Sequence, residues 1–119
     1  SSIEKMDLRG TQIKELDLST CKQLSDLIVT DMSALTNLNV SNTNITSLDF
    51  AGCENLYELD ATGSKLSNLD ISTNTNLVGL RLEATQLNTL DISNNPALQF
   101  VNVSNTNLTA LIQVYSICF

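Results

Sequence analysis

An apolar pattern of the form Leu-x-x-Leu-x-Leu, with other apolar residues in place of some leucines, recurs every ten or eleven residues along the chain. Successive units begin at Ile3, Ile13, Leu24, Leu35, Ile45, Leu56, Leu66, Leu77, Leu87, Leu98 and Leu108. Two consecutive units usually span 21 residues. The last two apolar positions of a unit share one face of a short strand. Because one such strand cannot bury that face alone, the period predicts a solenoid of stacked turns.

Two kinds of unit alternate, and they differ at their ninth position. The eleven-residue units have a cysteine or an asparagine there, at Cys21, Cys53, Asn74 and Asn95. The ten-residue units have threonine or serine, at Thr11, Thr43, Ser64, Thr85 and Thr106. Where the chain turns at the end of a strand, buried backbone N–H and C=O groups lose their hydrogen-bond partners in the neighbouring strand. Short polar side chains can hydrogen-bond to these groups instead. Both columns are therefore predicted to be structural.

One unit, 24–34, breaks the alternation. It has eleven residues, but Met32 occupies its ninth position and Ile28 stands where a polar residue is usual. Either the two sides of the solenoid exchange roles at this unit, or one turn is irregular. Strands predicted near 25–30 and 36–41 lie only eleven residues apart. They cannot both be adjacent strands on one side of a solenoid with 21-residue turns, so one of the two strands is expected not to form.

The units 45–55, 66–76, 87–97 and 98–107 resemble the repeats of about 21 residues in internalin-like, leucine-rich-repeat proteins of bacterial cell surfaces. The resemblance implies that the short units form the concave strands and the long units a looser convex side. The predicted fold class is an α/β-type repeat solenoid. It would be a leucine-rich repeat with one parallel sheet, a convex side of loops and short turns, and little or no α-helix. Strands are predicted near 4–9, 25–30, 36–41, 57–62, 78–83 and 99–104.

A four-sided pentapeptide-type β-helix is the alternative fold, since apolar residues also recur about every five positions. The additional leucines Leu48, Leu59, Leu69 and Leu80 favour leucine-rich repeats. Residues 1–119 are predicted to form a single domain of about five and a half repeats. The apolar segment 111–119 is unlike a regular cap. It predicts either a fragment of a longer array, able to self-associate end to end, or a last segment that folds back as a cap.

Composition excludes several classes of function. The net charge of −7 and the absence of a basic patch argue against a nucleic-acid partner. No apolar run is long enough to insert into a membrane. The chain has no histidine, so histidine-dependent acid–base catalysis is excluded, and no catalytic residue, cofactor or metal site is predicted. A repeated aspartate, at Asp17, Asp49, Asp70 and Asp91, raises the question of calcium, but capping of local backbone N–H groups explains it more simply.

The outward positions of the predicted sheet are the candidate binding surface, because repeat proteins bind through such surfaces. The candidate residues are Tyr57, Glu58, Asp60, Arg81, Glu83, Phe100 and Asn102. A solvent-facing phenylalanine on a sheet suggests a contact that covers it.

The predicted function is that of a non-enzymatic recognition module that binds a protein or a glycan through the sheet. The alternative is a structural spacer in a larger surface protein, with no ligand of its own. The resemblance implies an extracellular or cell-surface location.

Overall fold

Residues 2–113 are described by a computed structural model, in which about five turns stack into a parallel β-solenoid. These residues form eleven strands of three residues each and no helix. The strands are β1 (Lys5–Asp7), β2 (Glu15–Asp17), β3 (Asp26–Ile28), β4 (Asn37–Asn39), β5 (Ser47–Asp49), β6 (Glu58–Asp60), β7 (Asn68–Asp70), β8 (Gly79–Arg81), β9 (Thr89–Asp91), β10 (Phe100–Asn102) and β11 (Ala110–Ile112).

Each strand is centred on the second apolar residue of its unit. That central side chain points into the core while its two neighbours point outward, as Leu48 does between Ser47 and Asp49. Leu59 is 1% exposed in the same role. Burying one leucine side chain contributes roughly 1.5–3 kcal/mol. Together with the leucines at the other apolar positions of the repeat, this column supplies most of the core.

The strands divide between two sides of the solenoid. Strands β2, β4, β6, β8 and β10 form one five-stranded parallel sheet, here called the five-stranded face. Strands β1, β3, β5, β7, β9 and β11 lie on the other side, here called the second face, and pair there as β1–β3, β5–β7 and β9–β11. On the second face, β3 contacts β5 and β7 contacts β9, although the hydrogen-bonded ladder does not continue between them.

The predicted parallel solenoid without helix is confirmed, but the prediction of one sheet is wrong. Both kinds of unit form strands, because both carry the same apolar spacing around the strand centre. The strands predicted at 25–30 and 36–41 both exist, as β3 and β4, and lie on opposite faces.

The two faces do exchange roles at unit 24–34. Before it, the short unit contributes β1 to the second face and the long unit contributes β2 to the five-stranded face; after it, the assignment is reversed. Glu15 pairs with Asn37, 22 residues later, whereas Asn37 pairs with Glu58 after 21. One extra residue is absorbed in this turn, and the chain keeps alternating between faces. Met32 is fully buried in the core, and Ile28 is 36% exposed.

The corner columns are structural, as predicted. On the second face, the Cys53 thiol donates to the carbonyl oxygen of Val29 at 3.0 Å, so it reaches back to the preceding turn. Thr43 and Thr85 donate instead within their own turn, to carbonyl oxygens three residues earlier. The predictions about the segment that ends at residue 119 depend on residues 114–119, which lie outside the described residues.

Candidate functional site

Two outward rows cross the five-stranded face. One row consists of Glu15, Asn37, Glu58, Gly79 and Phe100, and the next consists of Asp17, Asn39, Asp60, Arg81 and Asn102. Neighbours in a row are paired residues of adjacent parallel strands. The structure therefore brings together most of the residues that the sequence singled out, at the register that the 21-residue period predicts.

Arg81 and Phe100 form the centre of one half of this face. The guanidinium carbon of Arg81 lies 4.4 Å from the centroid of the Phe100 ring, on the neighbouring strand. Phe100 remains 41% exposed, so the pair is open to solvent on its outer side. A guanidinium over an aromatic ring is attracted by the ring's quadrupole, which favours this arrangement of the two side chains by about 0.5–1 kcal/mol at an exposed site.

Gly79 separates Phe100 from Glu58 in the same row. A Cβ atom at Gly79 would lie 3.3 Å from Cγ of Glu58, so the Glu58 side chain extends over the glycine. At the end of β10, Nδ2 of Asn102 donates to Oε2 of Glu83 at 3.2 Å. The contact with Asn102 orients the Glu83 carboxylate, while the Glu58 side chain lies over Gly79; the sequence predicted both carboxylates to lie on the binding surface.

The other half of the face is an acidic groove of about 460 Å³. Its charged lining residues are Glu15, Asp17, Glu58, Asp60 and Arg81. Glu15 and Asp17 were missed by sequence reasoning, since the role exchange at unit 24–34 moves a long unit onto this face. The hydroxyl and then the backbone N–H of Ser19 hold the pKa of Asp17 below its usual value. Together, the charged lining residues place four carboxylates beside one guanidinium in the groove.

The repeated aspartates do not form one stack. Asp17 lies on the five-stranded face, while Asp49, Asp70 and Asp91 lie on the second face. Each accepts a hydrogen bond from the backbone N–H two residues later, which confirms the capping interpretation. Within residues 2–113, no group of three or more cysteine, aspartate or glutamate side chains is arranged to hold a metal ion.

A second, shallow groove of about 860 Å³ runs along the side where the chain crosses from the second face to the five-stranded face. Its lining includes Lys14, Ser33, Thr36, Asn55, Tyr57 and Asn76. Tyr57 therefore belongs to the edge of the five-stranded face rather than to its centre. Sequence reasoning missed this groove, because it treated Asn55 and Asn76 only as unit ends.

Comparison with solved structures identifies a similar fold. A structure described as "Functional domain of InlJ from Listeria monocytogenes includes a cysteine ladder" is 20% identical, with a TM-score of 0.60 over 93% of this chain. The chain has an internalin-type repeat fold. It spans 34% of the length of that internalin structure. No family model and no curated protein matches the sequence.

The resemblance to internalin-like repeats is therefore confirmed at the level of the fold. The corner column of the present chain contains Met32, Cys53, Asn74 and Asn95 on the second face. No helix within residues 2–113 is long and apolar enough to cross a membrane.

Proposed function

We propose that this chain is a non-enzymatic recognition module whose five-stranded face binds a segment of another protein. The observation that carries the proposal is the Arg81–Phe100 pair, exposed and held together beside a groove. Aromatic and arginine side chains are enriched among the residues that dominate binding energy at protein interfaces. Because the contact between the two side chains already favours one arrangement, less side-chain entropy is lost when a partner covers the pair.

The acidic half of the same face favours a partner that carries lysine or arginine. Glu15, Asp17 and Asp60 line the groove with Glu58, so a basic segment would be attracted along it. Such attraction acts mainly on the association rate and weakens as salt increases. An apolar side chain of the partner would then cover Phe100.

A role on a bacterial surface is part of the proposal. It is supported by the resemblance of the repeats to internalin-like proteins and by the similar fold of a Listeria internalin domain. A protein that acts as a spacer would have no need of an exposed, ordered arginine–aromatic pair. If the test below finds no ligand, the alternative function, a structural spacer, is favoured instead.

The test is selection of a random peptide display library on the intact chain. Recovered peptides should be rich in lysine and arginine. They should bind at least about tenfold more weakly to a variant that combines Phe100→Ala with Arg81→Ala. The matched control combines Asn68→Ala with Thr89→Ala, two exposed strand positions of the second face. Thermal unfolding of both variants checks the fold, and undiminished binding to the Phe100/Arg81 variant would refute the proposal.

A further inference from the structure

The second, shallow groove, here called the side groove, is a surface distinct from the centre of the five-stranded face. It lies along the connections from β1 to β2, from β3 to β4, from β5 to β6 and from β7 to β8, so four successive turns contribute to it. Its lining contains one aromatic ring, amide groups, hydroxyl groups and one ammonium group. None of the described lining residues is acidic, although the whole chain carries a net charge of −7.

Tyr57 supplies an aromatic platform in this groove. Its side chain is 48% exposed, while its backbone is fixed on both sides. The Tyr57 N–H donates to the carbonyl oxygen of Thr36, and the Tyr57 carbonyl oxygen accepts from the N–H of Val78, both at 2.8 Å. A tyrosine combines a large apolar ring with a polar hydroxyl, which suits a ligand that has both kinds of surface.

Two asparagines beside Tyr57 are oriented in advance. Nδ2 of Asn55 donates to the carbonyl oxygen of Ser33 at 2.8 Å, and Nδ2 of Asn76 donates to that of Glu54 at 2.9 Å. Because they occupy the same position in consecutive turns, they are about 4.8 Å apart along the stack. Each amide keeps a second N–H donor and a carbonyl acceptor for another molecule.

We infer that this groove binds a saccharide, with the sugar ring stacked on Tyr57 and its hydroxyl groups paired with Asn55 and Asn76. A sugar ring presents C–H groups on its faces and hydroxyl groups around its rim. An aromatic face covers the C–H groups, while an amide can donate to one hydroxyl and accept from the next. Ligand sites of this kind combine an apolar surface with a few oriented polar groups.

Lys14 adds a preference within that ligand class. It lines the groove and forms no ion pair within the described part of the chain. A sugar that carries a carboxylate would gain a charge-assisted contact at this end of the groove. The site differs from the proposed function in both its surface and its ligand, so either can fail without the other.

The experiment is an array of neutral and carboxylate-bearing oligosaccharides probed with the intact chain, followed by titration of the strongest binder. Tyr57→Ala should weaken binding at least about tenfold, and Asn76→Ala should also weaken it. Tyr57→Phe should stay within about threefold of the unchanged chain, since the ring is kept. Lys14→Gln should weaken carboxylate-bearing sugars and leave neutral ones unchanged.

Two further variants separate this site from the five-stranded face. The Phe100→Ala and Arg81→Ala combination should retain saccharide binding, and Asn76→Ala should retain the peptides whose binding depends on Phe100 and Arg81. Absence of any binder on the array overturns the inference. The inference is also overturned if saccharide binding is lost in the Phe100→Ala and Arg81→Ala combination but kept in Tyr57→Ala. Loss of the selected peptides in Asn76→Ala would make the groove a protein surface instead.

Discussion

Asn95 and Asn74 are joined across one turn of the solenoid: Nδ2 of Asn95 donates to the backbone carbonyl oxygen of Asn74 at 2.9 Å. The same Nδ2 donates to Ile71, also at 2.9 Å, and Asn74 makes the equivalent pair of contacts to Phe50 and Cys53. Both asparagines are almost fully buried. One side chain thus satisfies two buried carbonyl groups that the strand ladder does not reach.

Replacing Asn95 with alanine should lower the free energy of unfolding by about 2–4 kcal/mol. The change leaves two buried carbonyl oxygens without their donor, and each such loss costs roughly 1–3 kcal/mol. Asn95→Cys should cost less, because Cys53 already makes one such contact in this column. Denaturant unfolding measures the free energy of unfolding of the unchanged chain, Asn95→Ala and Asn95→Cys. Asn94→Ala, at the exposed neighbouring position, is the control, and an equal loss there would contradict the explanation.

Replacing Ala84 with glycine should stabilise the fold. Ala84 is exposed and has a φ of 57°, in the left-handed region where a side chain costs roughly 1–2 kcal/mol. Glycine removes that strain but loses more entropy on folding, so the expected net gain is about 0.5–1 kcal/mol. The matched control is Ala51→Gly, at an exposed position without positive φ, which should lose stability. A loss in both variants would show that no strain is stored at Ala84.

Gly52→Ala should be markedly more destabilising than Gly10→Ala. Both glycines have positive φ, 80° and 69°, so both substitutions incur backbone strain. A Cβ at Gly52 would also lie 2.8 Å from the Cα of Asp31 in the preceding turn, whereas nothing lies within 4 Å at Gly10. We expect the difference in unfolding free energy to exceed about 1 kcal/mol. Equal losses would mean that the stacked turns move apart easily at this corner.

The period was sufficient to predict the stack of turns, the centres of six strands and the corner columns, because each depends only on spacing and polarity within one unit. The strands β2, β5, β7, β9 and β11 were not predicted, because the resemblance assigned their side of the turn to loops. The face on which a unit lies was not predictable from its type. The residue at the ninth position indicates how the corner after the strand is formed, not the face on which the strand lies. Cys21 and Cys53 both occupy this position, but Cys21 follows a strand of the five-stranded face and Cys53 follows a strand of the second face. Asp17 was accordingly grouped with Asp49, from which the core separates it.

The candidate site was predictable to a similar extent. Pairing of Arg81 with Asn102, and of Gly79 with Phe100, follows from the 21-residue repeat. The contribution of Glu15 to the acidic groove depends on the exchange of faces at unit 24–34. The side groove depends on how connections from different turns stack, and single-unit patterns carry no information about that.

Stability in acid should depend on Asp70 and Asp91, two aspartates that cap turns of the second face. The hydroxyl of Ser93 and then its backbone N–H hold the pKa of Asp91 below its usual value of 3.8, against smaller opposing effects of desolvation and of the nearby Asp70. A folded pKa below the unfolded one means that the charged carboxylate favours folding. This contribution is complete above the unfolded pKa, and it is lost as pH falls through the folded pKa.

Asp91→Asn tests this directly, because Asn102 already caps the equivalent turn by accepting from the N–H and hydroxyl of Ser104. The variant keeps acceptors for these hydrogen bonds but loses the contribution of the charge. It should therefore be slightly less stable than the unchanged chain near neutral pH and lose less stability as the pH falls below about 3.8. Unfolding free energies measured across the acid range provide the comparison, and a carboxyl titration by NMR gives the pKa of Asp91. An identical acid dependence in the two proteins would mean that the carboxylates of other turns govern the loss.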